Sequence, residues 1–184
     1  MVLTKTPICN FGDKAHSFEL KGVDDKIYNF ENFVGKKGTL IMFICNHCPY
    51  VKAVIKDIVD ICKSLEHDGL NSIAIMSNDT ENYPEDSFHN MKIFSKQHNF
   101  CFPYLYDQKQ LVAKKYGAVC TPDFFGYNNK LELQYRGRIK EMKDLKPVKE
   151  SKNDLLDAMQ SIIKTGKGPL DQVPSMGCNI KWIK

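Results

Sequence analysis

One stretch constrains this chain more than any other. Thr39-Leu40-Ile41-Met42-Phe43-Ile44 is a continuous apolar, β-rich run, which predicts a short strand covered on both faces. Cys45-Asn46-His47-Cys48-Pro49 follows directly. Val51, Val54, Ile55, Ile58, Ile61, Cys62 and Leu65 then recur at three- and four-residue steps, the mark of an amphipathic helix of about five turns. Pro49 falls in its first turn, where a missing N–H costs nothing. Gly69, after His67-Asp68, takes the C′ place. Asn71 to Ser77 reads as a second buried strand. Strand, helix and strand make a βαβ unit with parallel strands and a right-handed crossover.

Shorter elements flank the unit. His16 to Leu20 and Ile27 to Phe30 alternate around a turn at Gly22 to Asp25, which predicts an N-terminal β-hairpin. Glu85 to Gln97 reads as a second helix with Phe88, Met91, Ile93 and Phe94 on its apolar face. Phe102 to Asp107 is extended, and Gln110 to Tyr116 is a short helix stopped by Gly117. Phe124 to Tyr127, the Asn128-Asn129-Lys130 turn and Leu131 to Arg136 form a hairpin. Leu155, Leu156, Met159, Ile162 and Ile163 mark a last helix closed by Gly166. Residues 167–184 are a Gly/Pro-punctuated tail holding Cys178 and Trp182. Residues 1–184 therefore read as one α/β domain, with a central mixed sheet and helices on both faces.

Composition narrows the function classes. No apolar run approaches the ~20 residues of a membrane span. Met1 to Pro7 carries no apolar leader core, so a cytoplasmic location is expected. The net charge is +4, but Arg136 and Arg138 are the only arginines and no basic block stands out. Nucleic acid is therefore not an expected partner. Seven cysteines are scattered as Cys9, Cys45, Cys48, Cys62, Cys101, Cys120 and Cys178. An odd number without a leader argues against a disulfide framework, and most read as small buried hydrophobes.

Cys45 and Cys48 differ from the rest. A helix start presents unsatisfied N–H groups and the positive end of the macrodipole, which stabilise a thiolate below its free pKa of about 8.5. The expectation is an exposed, attacking Cys45, a more buried Cys48 that resolves the mixed disulfide, and a His47 imidazolium that favours the Cys45 thiolate. Zinc needs four ligands, and no second pair completes a set with these cysteines, so no metal is expected. Copper held by Cys45, Cys48 and a distant histidine remains an alternative, since soft thiolates suit Cu(I).

Gly12-Asp13-Lys14-Ala15 with Phe18, the Gly35-Lys36-Lys37-Gly38 turn, the buried strand, C-x-x-C-P, the long helix and a later Thr-Pro together resemble the thioredoxin-like superfamily. The closest branch is the redoxin group related to alkyl hydroperoxide reductase and thiol-specific antioxidant proteins. Asn46 to Val51, Cys120-Thr121-Pro122-Asp123, and Ser175-Met176-Gly177-Cys178 with Ile180-Lys181-Trp182 look like hallmarks of one bacterial-type subfamily within it. The resemblance implies a thioredoxin-like fold in which a cis-proline, Pro122 with Thr121, faces the cysteine pair and helps hold an extended partner chain. It places Cys120 near the pair, as a core residue, a resolving thiol or a metal ligand. It also puts the peroxidatic cysteine of peroxiredoxins at Cys48. Their threonine three residues earlier is here Cys45, and their supporting arginine has no obvious match.

The expected function is thiol–disulfide exchange through Cys45, His47 and Cys48, with Thr121 and Pro122 docking the partner and no organic cofactor. The partner is a protein or small-molecule disulfide, and a thioredoxin- or glutathione-type system supplies electrons. A thiol peroxidase acting through Cys48, and a non-enzymatic copper-binding or redox-sensing module, are the alternatives. Cys178 and Trp182 read as a packed terminal segment, a lid or a source of a resolving thiol. Asn78-Asp79 and Tyr83 to Asp86 follow a strand end, where ligand loops sit in open α/β sheets, but read chiefly as helix caps; Arg136-Gly137-Arg138 reads as a solvated strand edge.

Overall fold

The apolar run of the opening motif occupies the middle of a seven-stranded sheet. The computed structural model describes residues 3–148 and 151–184; Met1 and Val2 of the leader reading lie outside them. In chain order the elements are β1 (Leu3–Lys5), β2 (Glu19–Gly22), β3 (Ile27–Asn29), β4 (Gly38–Phe43), α1 (Pro49–His67), β5 (Leu70–Met76), α2 (Phe88–Gln97), β6 (Tyr104–Tyr106), α3 (Leu111–Tyr116), β7 (Cys120–Thr121), β8 (Asp123–Asn128), β9 (Leu133–Tyr135), β10 (Met142–Lys143), β11 (Lys146–Pro147), α4 (Asp154–Thr165) and β12 (Met176–Asn179). The main sheet runs β3-β2-β6-β5-β4-β8-β9. β4, β5 and β6 are parallel, and β8 returns antiparallel beside β4. The β2–β3 hairpin adds to the β6 edge of this sheet.

Every residue of β4 is buried. Leu40 and Met42 join the core of α1, α2 and α4. Ile41 and Phe43 point the other way, to Phe18, Phe30, Val112, Tyr116 and Phe125. A strand with two apolar faces thus requires a layer on each side. All seven periodic residues of α1 are buried, and the helix ends with Gly69 at φ +87°. Among the described residues no helix is long and apolar enough to cross a membrane.

The structure departs from the sequence expectation at four places. The expected helix from Glu85 splits: Pro84–Asp86 is a 3-10 turn, and Ser87 caps α2 by accepting from the Asn90 amide. Ile93 lies on the open face of α2, 51% exposed. Arg136 is buried rather than solvated; its guanidinium pairs with Asp123 at 2.9 Å and lies over the Phe125 ring. The tail contains a strand, β12, which pairs antiparallel with both β1 and β7 in a separate three-stranded sheet.

Candidate active site

Cys45 lies just beyond the end of β4, and Cys48 is the N-cap of α1 with Pro49 at the first helical position. The loop between them is pinned by a buried carboxylate. Asp86 Oδ1 accepts from the Asn46 amide at 2.8 Å and the His47 amide at 3.2 Å. Its Oδ2 accepts from Asn78 Nδ2 at 2.7 Å and lies 2.6 Å from His47 Nδ1. Tyr104 OH donates to Asn46 Oδ1 at 3.0 Å, and Asn46 Nδ2 donates to the Glu85 carbonyl. Asp86 and Asn78, read from sequence as capping residues, therefore hold the C-x-x-C loop in place.

Three sulfurs meet here. Cys45 Sγ is 3.3 Å from Thr121 Oγ1. Cys48 Sγ is 3.2 Å from the Thr121 carbonyl and 3.0 Å from Cys178 Sγ. The register Cys178↔Thr121 brings the tail thiol to this point. The Thr121–Pro122 peptide is cis. Cys120, the residue before, is buried beside the cluster, and its own thiol is raised by burial.

Burial corrects the expected exposure of the pair. Cys45 is not exposed: it and Cys48 are both at 0% and Cys178 at 1%. Hydrogen bonding from Cys45, and then from Cys178 and Thr121, outweighs burial and draws Cys48 down to about 5; the Val51 amide in the first turn adds to this. Cys45 is pushed well above the ordinary thiol value, first by burial, then by its hydrogen bond to Cys48 and by the Asp86 carboxylate. The hydrogen bonds of the cluster therefore favour the thiolate at Cys48. The helix start favours a thiolate, and with Pro49 at the first helical position the residue it favours is Cys48.

His47 serves a different charge from the one expected. Its hydrogen bond to Asp86 raises its pKa most, and the Cys48 thiolate adds a smaller upward push. Burial opposes the charge on Asp86, yet hydrogen bonds from His47 and Asn78 keep that carboxyl below the usual range. His47 stacks on Tyr83 at 5.7 Å, and Lys181 from the tail lies over the other partner of that stack, 5.6 Å from the Tyr83 ring centroid.

Cys45, His47 and Asp86 place one donor atom each within 4.8 Å of one another. Within the trio His47 Nδ1 faces Asp86 Oδ2, while Cys45 Sγ faces Thr121 Oγ1. On the Pro122 side a cavity of about 220 Å³ is lined by Tyr50, Val54, Pro122, Ile139, Met142 and Val173. Lys5, Arg138 and Lys140 line the same cavity. Both arginines are paired: Arg136 with Asp123, and Arg138 with Asp154 at 2.6 Å.

Sequence reasoning named Cys45, His47, Cys48, Thr121 and Pro122, and the fold gathers all five. It missed the work of Asp86, Tyr104 and Lys181. A carboxylate just before a serine N-cap was the available signal for Asp86.

A mixed sheet that delivers C-x-x-C to a helix start opposite a cis-proline defines a thioredoxin-like redoxin. The AhpC/TSA family pattern matches residues 11–142, and the chain belongs to the AhpC/TSA family. An uncharacterized conserved protein of Geobacillus kaustophilus is 37% identical, with a TM-score of 0.94 over 100% of this chain and 97% of that one. A hypothetical protein of Sinorhizobium meliloti is 33% identical, with a TM-score of 0.91 over 98% of each chain. A secreted disulfide oxidoreductase of Mycobacterium tuberculosis is 12% identical, with a TM-score of 0.58 over 80% of this chain and 94% of that one, a likeness of fold alone. No curated protein matches the chain significantly.

Proposed function

We propose that the chain is a thiol–disulfide oxidoreductase whose attacking group is Cys48. One observation carries the reading: the Cys48 sulfur stands at the start of α1, 3.0 Å from a second thiol. Exchange needs an ionised sulfur to attack and a neighbouring thiol to resolve the mixed disulfide. Cys45 and Thr121 hold the thiolate, His47 with Asp86 fixes the loop, and Pro122 borders a cavity of apolar and cationic side chains where a partner would rest. The oxidised chain is returned to the dithiol by a thioredoxin- or glutathione-type reductant. A cytoplasmic setting goes with such reductants. The test is oxidation by glutathione disulfide followed by thiol titration. The reading expects the loss of about two thiols per chain in the intact protein, and none from this cluster in Cys48→Ser. Unchanged thiol counts in both would contradict it.

A peroxidase reading draws support from the same placement of the thiolate at Cys48, the position of the peroxidatic cysteine in the resemblance. Peroxide reduction also needs donors for the departing oxygen. Cys45 stands where a threonine would, and both arginines are engaged with carboxylates, Arg136 with Asp123 and Arg138 with Asp154. A rate with hydrogen peroxide well above that of a free thiol would favour this reading over exchange.

A further inference from the structure

The Cys48 thiolate has thiol neighbours on two sides, and only one of them can complete a disulfide with it. We propose that Cys178 closes the disulfide, so that the redox pair is Cys48–Cys178 and not the C-x-x-C pair Cys45–Cys48. This rests on the exchange reading above and assigns its second thiol.

The two sulfurs are 3.0 Å apart, so a bond of roughly 2.05 Å needs about 1 Å of closure. β12 is locked against β7 by the Cys178↔Thr121 and Asn179↔Cys120 register. Gly177 makes that approach possible, because a Cβ there would meet the Thr121 carbonyl oxygen at 2.0 Å. Ser175 Oγ donates to the Pro122 carbonyl at 2.8 Å, and the Lys181 amide donates to Asn78 Oδ1 at 2.9 Å. The strand is thus fixed on both sides of Cys178.

The surroundings of the two thiols separate them further. Cys178 is pushed up to about 12, first by burial and then by its hydrogen bond to the Cys48 thiolate, while Lys181 pulls it down. Once Cys48 enters a mixed disulfide its charge is gone, and Lys181 remains beside Cys178. Cys45 in the same state still faces the Asp86 carboxylate. Ionisation for the resolving attack is therefore favoured at Cys178.

With glutathione disulfide as oxidant, the Cys48 thiolate attacks one sulfur. The glutathione S–S bond breaks, a Cys48–glutathione bond forms, and the first glutathione leaves as a thiolate. Cys178 gives up its proton, which that thiolate takes. The Cys178 sulfur then attacks Cys48 Sγ, and the second glutathione leaves as a thiolate. The chain loses two electrons and glutathione disulfide gains them.

The experiment oxidises the reduced full-length chain with limiting glutathione disulfide, blocks remaining thiols and maps the linked peptides. The wild-type chain is expected to give a Cys48–Cys178 link. Cys178→Ser is expected to accumulate the Cys48–glutathione adduct and clear it at least ~10-fold more slowly. Gly177→Ala keeps every thiol but displaces β12, and is expected to slow clearance in the same direction. A Cys45–Cys48 link in the wild-type chain, with Cys178→Ser clearing the adduct at the wild-type rate, would overturn the proposal and leave exchange standing. No adduct and no disulfide at Cys48 would overturn both.

Discussion

Charge inside a protein survives where hydrogen bonds replace water, and the cluster around Cys48 does this twice. Cys45, Cys178 and Thr121 hold a thiolate, while Asn46, His47 and Asn78 hold the Asp86 carboxylate. The two sites meet at His47. Asp86→Asn removes the charge that raises His47 most. The histidine pKa should therefore fall toward its ordinary value of about 6.5, as read by NMR titration of the ring protons. An unmoved His47 pKa would mean that Asp86 does not set its charge. C-x-x-C-P at a strand-to-helix turn was legible from chemistry and spacing alone. The division of labour was not, because it depends on Cys178, 130 residues further along the chain. A local pattern shows where a thiolate is favoured, but it does not show what covers it.

Elements were legible in proportion to their periodicity. The strand and helix around the cysteines carried strong patterns, and the structure places them within two residues of expectation. β12 reads Met176-Gly177-Cys178-Asn179, with no alternation and a glycine at its centre. It is a strand because β1 and β7 offer it backbone partners, which is a property of the fold and not of the segment. Arg136 was misread for a similar reason. A strand-end arginine usually faces water, but Asp123 heads the neighbouring β8 and is fully buried. Arg136 also donates to the Gly117 carbonyl at 2.7 Å, tying the α3 end to the sheet. Arg136→Ala would leave Asp123 buried without its partner, and the loss should be about 3–5 kcal/mol. Urea unfolding would read this as a lower midpoint at an unchanged slope. A midpoint within error of wild type would mean that the ion pair does not support the sheet.

At the scale of the molecule, three distant stretches meet at one cluster. The turn between β4 and α1 supplies Cys45 and Cys48, β7 supplies Thr121, and β12 supplies Cys178. The tail also anchors the far side: Gln110 Nε2 donates to the Lys181 carbonyl, and Ile180 is buried in the second core. Enclosure of this kind makes the reactive thiol distinguishable in the intact protein. The direct measurement is the rate of thiol alkylation against pH, resolved cysteine by cysteine by mass spectrometry. Because the Cys48 pKa is lowered to about 5, its thiolate stays formed as pH falls through the range where ordinary thiols protonate. The account predicts a Cys48 rate that is level from about pH 8 to 6 and falls through about 5, after allowance for the constant shielding by β12. A Cys48 rate that already falls through about 8.5, or a Cys45 that ionises first, would contradict it.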